Sequence, residues 1–258
     1  MKIWILIALL SSCSACSPSR QANEVTASEE LIIGGHTASK RSEIVATTVS
    51  LVDTQRGSLC TASILSEDVA ITAAHCVGGA ARAMQLSFGP ETAAFETRPV
   101  VDIAISPAWS IHHQDEFNNG DIALVRFTGG LPAGAAAASL MKASHHLSDG
   151  EIVILAGFGI MKADGEGAGR LRTVDVKIAK AHCSDTEVSL DQEGRRGACH
   201  GESGGPAFIQ DNRGGLLLWG ITSRGINDPS DSCSGQSVYT RIQAYSRWIN
   251  TVVRSWKE

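Results

Sequence analysis

Short apolar runs rich in β-branched residues recur along this chain, each bounded by Gly, Pro, Asn or Asp, and this punctuation restricts the fold class. The runs are Ile44–Val52, Val69–Thr72, Val100–Ile105, Ile122–Phe127, Glu151–Ala156, Val174–Ala179, Leu216–Thr222 and Ser237–Arg241. Their lengths suit strands and no long helical pattern separates them, which predicts an all-β sandwich or barrels. The end of the chain differs. Ile242, Tyr245, Ile249, Val252, Val253 and Trp256 recur at helical spacing, so an amphipathic helix with a core-packing stripe is expected there. Near the middle, Leu131–Ala138 is rich in small residues. It could form a helix, but Pro132 and Gly134 favour a segment crossing between two halves.

A chain of 258 residues with 43% hydrophobic content can bury a sizeable core as one large domain or two small ones. Its net charge is -5, from 22 Lys plus Arg against 27 Asp plus Glu. That balance leaves no electrostatic footprint for nucleic acid, and no such partner is expected. Lys2 followed by the apolar run Ile3–Leu10 has the length of a signal-peptide core and is too short to span a membrane, which takes about 20 residues. Residues 1–16 are read as a signal peptide. Leu10-Ser11-Ser12-Cys13 resembles a bacterial lipobox, with plain secretion after Ala15 as the alternative. Either route exports the chain, and a lipid on Cys13 would be the one membrane attachment. Residues 17–31 are polar and read as a linker or propeptide.

Seven cysteines are present, two of them, Cys13 and Cys16, in the leader. Export permits disulfides among Cys60, Cys76, Cys183, Cys199 and Cys233. The odd number leaves one thiol unpaired, or paired with the N-terminal segment or another chain. No Cys/His cluster has zinc-site spacing, and no metal or other cofactor is expected. The remaining histidines, His112-His113 and His145-His146 with His36, His182 and His200, show no HExxH spacing and read as solvated loop residues.

Three motifs carry chemistry: Thr72-Ala73-Ala74-His75-Cys76, Asn119-Gly120-Asp121-Ile122-Ala123-Leu124 and Gly201-Glu202-Ser203-Gly204-Gly205-Pro206. A serine hydroxyl is a poor nucleophile until a base takes its proton. Histidine suits that task because its ordinary pKa lies near neutrality. A buried carboxylate on the other ring nitrogen would fix the tautomer and stabilise the imidazolium. The N–H groups of Gly201 and Ser203, in a glycine-rich turn, could form an oxyanion hole. Each motif alone is weak; together, in the order His75, Asp121, Ser203 on an exported all-β chain, they point to nucleophilic hydrolysis.

From Ile32 to the C-terminus the sequence resembles the chymotrypsin/trypsin-like serine peptidases, as a bacterial-type member with a lipoprotein-like leader. The resemblance implies two packed six-stranded antiparallel β-barrels with a C-terminal helix. It places the N-terminal barrel at about 32–135 and the C-terminal barrel and helix at about 136–258. It implies a zymogen whose mature N-terminus is Ile32 in Ile32-Ile33-Gly34-Gly35, and disulfides Cys60–Cys76 and Cys199–Cys233, with Cys183 left as the free thiol. Gly157-Phe158-Gly159 is similar to the family's Gly-aromatic-Gly turn. Thr222-Ser223-Arg224-Gly225 is similar to the segment that pairs with substrate backbone, with Ser223 also donating to Asp121.

Two departures matter. Glu202 stands where the family usually has the Asp that pairs with the new α-amino group, here that of Ile32. Either the pocket accommodates the longer arm or the oxyanion hole stays loose. Gly197 stands where trypsin-like members carry an Asp for Arg or Lys substrates, and Gly225 and Ser237 are expected as small, uncharged pocket walls. An unpaired cation would be costly to desolvate there, so cleavage after uncharged apolar residues is expected. Arg196, Arg224 and His200 leave acidic selectivity as the alternative, and Asp228 and Asp231 could reach the rim. Leu31, with Glu29 and Glu30 before it, implies an activating protease that accepts Leu, which could be this enzyme itself. The expected activity is endopeptidase action on polypeptides by a monomer. The alternatives are a weak or dormant homologue acting as a binding protein, and an esterase.

Overall fold

The computed structural model describes residues 36–37, 42–91, 96–159, 169–192, 201–226 and 235–258. The expected leader and linker, with the lipobox at Cys13, lie outside them. Six strands close a first barrel: β2 (Thr48–Asp53), β3 (Ser58–Ile64), β4 (Val69–Thr72), β5 (Met84–Phe88), β6 (Thr97–Ile105) and β7 (Ala123–Phe127), in the order β2-β3-β4-β7-β6-β5. Strands β8 (Ile152–Gly157), β9 (Arg172–Lys180), β10 (Glu187–Asp191), β11 (Pro206–Gln210), β12 (Leu216–Ile226) and β13 (Gln236–Arg241) form the second. Its order is β9-β10-β13-β12-β11-β8, and the β8–β9 pairing closes it. Every pairing is antiparallel. Both expected barrels are therefore present, and closure leaves no free edge within either ring.

The short strand β1 (His36–Thr37) falls in the stretch assigned from sequence to the first half, yet it pairs with β9 of the second barrel. The crossing segment is not a helix. It ties the halves together as Ala136 and Ala138 donate to the carbonyls of Ala46 and Ile64, while Met141 donates to that of Leu218.

The run beginning at Ile44 does not start as a strand. Helix α1 (Glu43–Thr47) comes first, with Ser42 Oγ accepting from the Val45 N–H at 3.3 Å and Glu43 in the first turn. That cap satisfies an orphan donor and outweighs the β-branched composition. Helix α2 (Pro107–His112) opens with Pro at its first position, where the missing N–H costs nothing. The pair His112-His113 is thus at a helix end rather than in a loop.

In β9, Val174, Val176 and Ile178 are buried while Asp175 and Lys177 are exposed, the period-2 pattern of a half-buried strand. Trp219 and Tyr239 fill the second barrel with Val153, Val176, Val188 and Leu190. The core of the first barrel continues into the seam through Phe158, Phe208, Leu218 and Ile221, and reaches Ile249 of helix α3 (Ser246–Ser255). The expected terminal helix is present, docked by that buried isoleucine and by a 3.0 Å bond from Arg126 Nη1 to the Trp256 carbonyl.

Candidate active site

His75 lies on a 3-10 turn, Ala74–Val77, directly after β4. Cys76 on that turn is bonded to Cys60 of β3, so the turn is clipped to the barrel wall. Asp121 precedes β7 and is 2% exposed. Its Oδ1 accepts from the His75 backbone N–H at 3.1 Å, and its Oδ2 lies 2.8 Å from His75 Nδ1. Gly120, at φ +72°, lets this loop press on α2, where a β-carbon would stand 2.7 Å from the Trp109 nitrogen. The indole of Trp109 is 6.5 Å from the His75 ring, centroid to centroid.

The second barrel supplies the other ligands of the aspartate. Ser223 Oγ donates to Asp121 Oδ2 at 2.7 Å, and Thr240 Oγ1 donates to the Asp121 carbonyl at 3.1 Å. The register slips between Thr222 and Arg224, which face Tyr239 and Val238. Ser223 is the extra residue of this bulge, and a bulge re-aims a side chain.

Ser203 sits in a turn packed onto the strands that lead to His75. Its carbonyl accepts from the Thr61 N–H at 2.8 Å. Thr61 Oγ1 donates to the Gly201 carbonyl at 3.1 Å and accepts from the Phe158 N–H at 3.1 Å, while Thr72 Oγ1 donates to the Thr61 carbonyl at 2.8 Å. Gly204 has φ +77° and no room for a β-carbon between Thr72 and Thr61; Gly201 has φ +85°, and a β-carbon there would lie 2.8 Å from the Cα of Gly159. Both positions demand glycine for conformation and for space.

Glu202 is buried between these glycines. Its Oε1 accepts from the Gly159 N–H at 3.0 Å, and its other oxygen fills the space beside Gly157. Arg172, 1% exposed, donates from Nη1 to the Gly159 carbonyl at 3.0 Å. Burial pushes the Glu202 carboxyl up to about 8, against the opposing pull of the Gly159 N–H and the Arg172 charge. In this structure the longer arm lies against Gly157, which has no side chain to displace it.

This fold carries a buried aspartate shared by an imidazole and a serine from opposite barrels, and its sequence matches the trypsin family model over residues 32–249. The chain belongs to the trypsin family of serine peptidases. Curated relatives include transmembrane protease serine 11G of Rattus norvegicus, 29% identical over 210 residues, covering 75% of this chain and 49% of that protein. Brachyurin of Leptuca pugilator is 30% identical over 207 residues, covering 74% and 86%. Mast cell protease 3 of Ovis aries is 25% identical over 268 residues, covering 98% and 96%. This trypsin-family chain spans about half the length of the transmembrane relatives it matches.

Among the expected pocket residues, Gly225 and Ser237 face each other across β12 and β13. The pairing of β11 with β12 ends at Pro206 opposite Ile221, so the ladder beyond Thr222 continues on the β13 side. Ile32, Gly197, Cys199 and Cys233 lie outside the described residues, as do Leu31, Arg196, His200, Asp228 and Asp231. Cys183 is a free thiol. The sulfurs of Cys60 and Cys76 approach His75 closely enough for a metal site, but they are bonded to each other. Reading the sequence missed Thr61 and Glu187; Thr61 has only its place beside Cys60 to suggest a role.

Proposed function

We propose that this chain is a serine endopeptidase in which Ser203 is the nucleophile, His75 the general base and Asp121 the residue that orients His75. The observation that carries the reading is the 2.8 Å contact between buried Asp121 Oδ2 and His75 Nδ1. A proton on Nδ1 leaves Nε2 with a lone pair for the Ser203 hydroxyl proton. Ser203 Oγ then bonds to the substrate carbonyl carbon, with the oxyanion received by the N–H groups of Gly201 and Ser203. The peptide C–N bond breaks as the imidazolium returns its proton to the leaving amine. Water, deprotonated by the same imidazole, releases the acid product and restores the serine.

Cleavage after uncharged apolar side chains is part of this reading. Gly225 and Ser237 offer no carboxylate, and the charge of Arg224 is already matched by Glu187 at 2.9 Å, which argues against acidic selectivity at that residue. The pairing of Glu202 with a new amine at Ile32 is the proposed activating step. Export rests on the leader sequence, and lipid attachment at Cys13 rests on four residues of it. Among the described residues no helix is long and apolar enough to cross a membrane.

The buried, up-shifted Glu202 favours one rival, a dormant binding protein with an unordered oxyanion hole. A fluorophosphonate label decides between them. The expected result is stoichiometric modification at Ser203, lost in His75→Ala and Ser203→Ala. A folded chain that stays unlabelled after cleavage before Ile32 would sink the enzyme reading.

A further inference from the structure

Glu187, at the start of β10, is fully buried, and a carboxylate so placed must be matched by donors. Arg224 meets it with both terminal nitrogens, Nη1 to Oε1 at 2.9 Å and Nη2 to Oε2 at 3.2 Å. The Asn118 N–H adds a 2.9 Å bond to Oε2, and Ser184 Oγ lies 3.3 Å from the same atom. The same guanidinium reaches two further acceptors: Nη1 lies 3.2 Å from Ser223 Oγ, and Nη2 donates to the Glu116 carbonyl.

We propose that Arg224, held by Glu187, is a positioning residue for the Asp121–His75 pair. The inference rests on the function proposed above. Arginine can only donate, so Ser223 Oγ accepts from it and directs its single proton to Asp121 Oδ2. The contacts therefore run in series from Glu187 through Arg224 and Ser223 to Asp121 and His75. The pair also grips the loop that bears Asp121. Glu116 and Asn118 belong to that loop, and Thr186 donates from its N–H and Oγ1 to Asn118 Oδ1 at 3.2 and 3.0 Å. Asn118 is held at φ +58°, a left-handed conformation that asparagine adopts more readily than other residues with side chains, and these bonds fix it there. One ion pair of the second barrel thus fixes both a hydroxyl rotor and a loop of the first.

Other ionisable groups near this series are Tyr245, which feels Glu187 and Asp121, and Cys183, which feels Glu187, Arg224 and Lys180. On the far side of His75 the neighbour is Trp109, whose ring is 5.5 Å from that of His113, centroid to centroid, and tilted 50° to it. None of these is altered by the following test.

The full-length chain, once cleaved before Ile32, is compared with Glu187→Gln, Arg224→Met and Arg224→Lys cleaved in the same way, by the pH dependence of kcat/KM on one peptide substrate, with active sites counted by fluorophosphonate. Glu187→Gln leaves a cation unmatched beside the dyad and disfavours the protonated imidazole, so the acid limb moves to lower pH. Arg224→Met leaves the anion, so the limb moves to higher pH. Each shift is expected to be about 0.5 pH unit, with Arg224→Lys restoring most of it. Should Arg224→Met not fold, Glu187→Gln and Arg224→Lys still carry the comparison. Variants that label and melt at lower temperature with an unmoved acid limb would reduce the pair to a structural brace and overturn this inference alone. A wild-type chain that does not label even after cleavage before Ile32 would remove the proposed function along with it.

Discussion

The carboxylate of Glu202 occupies the space in which a β-carbon on Gly157 would stand, its Cδ 2.9 Å from that point and its Oε2 closer still. Glutamate at 202 and a side chain at 157 therefore exclude each other. Gly157→Ala should destabilise the fold by about 1–3 kcal/mol, the usual cost of overpacking, and slow labelling of Ser203. Shortening the arm with Glu202→Asp in the same chain should restore part of both. The check is a double-mutant cycle by urea denaturation, with Ser203→Ala to prevent self-digestion. Strictly additive effects would mean that the two residues do not compete for this space.

Burial of Glu202 has a pH signature. The carboxyl is raised from 4.5 to about 8 in the fold, so the unfolded chain ionises first as pH rises. The stability linked to the neutral carboxyl is full below pH 4.5, declines above it and is gone beyond about pH 8. The decline amounts to on the order of 5 kcal/mol. Glu202→Gln should remove that pH-dependent component, so the gap between the two proteins changes steadily from pH 5 to pH 8. Parallel stability curves would refute the assignment. Cleavage before Ile32 should flatten the wild-type curve, because an ammonium partner favours the ionised form.

Thr61 gives a third expectation. Its hydroxyl joins the half-buried Gly201 carbonyl to the buried Phe158 N–H, so Thr61→Val takes this partner from both backbone groups. Leaving such groups unsatisfied costs roughly 1–3 kcal/mol each. The variant should lose stability in thermal melts and label more slowly at Ser203, while Thr61→Ser should keep most of both. Equal behaviour of the valine and serine variants would show that the methyl group, and not the hydroxyl, matters.

These contacts also mark where the sequence stops being informative. The alternation of Val174, Val176 and Ile178 with Asp175 and Lys177 is a local signal, and so is the helical spacing that ends in Trp256; both elements are found in place. The strand expected from Ile44 begins instead as a helix because Ser42 caps it, a competition between a local bond and composition that the apolar pattern does not register. His75, Asp121 and Ser203 stand out because their motifs carry reactive residue types among glycines. Thr61 and Glu187 do not, because their importance comes from partners 140 and 37 residues away. Serine 223 lies between these cases: its neighbours suggest a role, but the bulge that aims it at Asp121 exists only once β12 and β13 are paired.

Substrate preference is the last expectation. Gly225 faces Ser237 across the β12–β13 ladder, and a β-carbon on Gly225 would meet nothing nearer than the Gln236 carbonyl at 4.0 Å. Among the described residues, the wall proposed to flank the substrate is therefore open at Gly225 and uncharged at Gly225 and Ser237. Arg224 adds no free cation, because buried Glu187 holds it. A lysine or arginine side chain entering here loses water without gaining a partner, and an acidic one finds its counter-charge already engaged. A peptide library should show cleavage after uncharged apolar residues, favoured over Arg or Lys by about two orders of magnitude in kcat/KM. Arg224→Met should leave that ranking in place, since the arginine serves Glu187 and Ser223 rather than the substrate side chain. A profile led by Arg or Lys would require a carboxylate from outside the described walls, and one led by Asp or Glu would require Arg224 to leave Glu187.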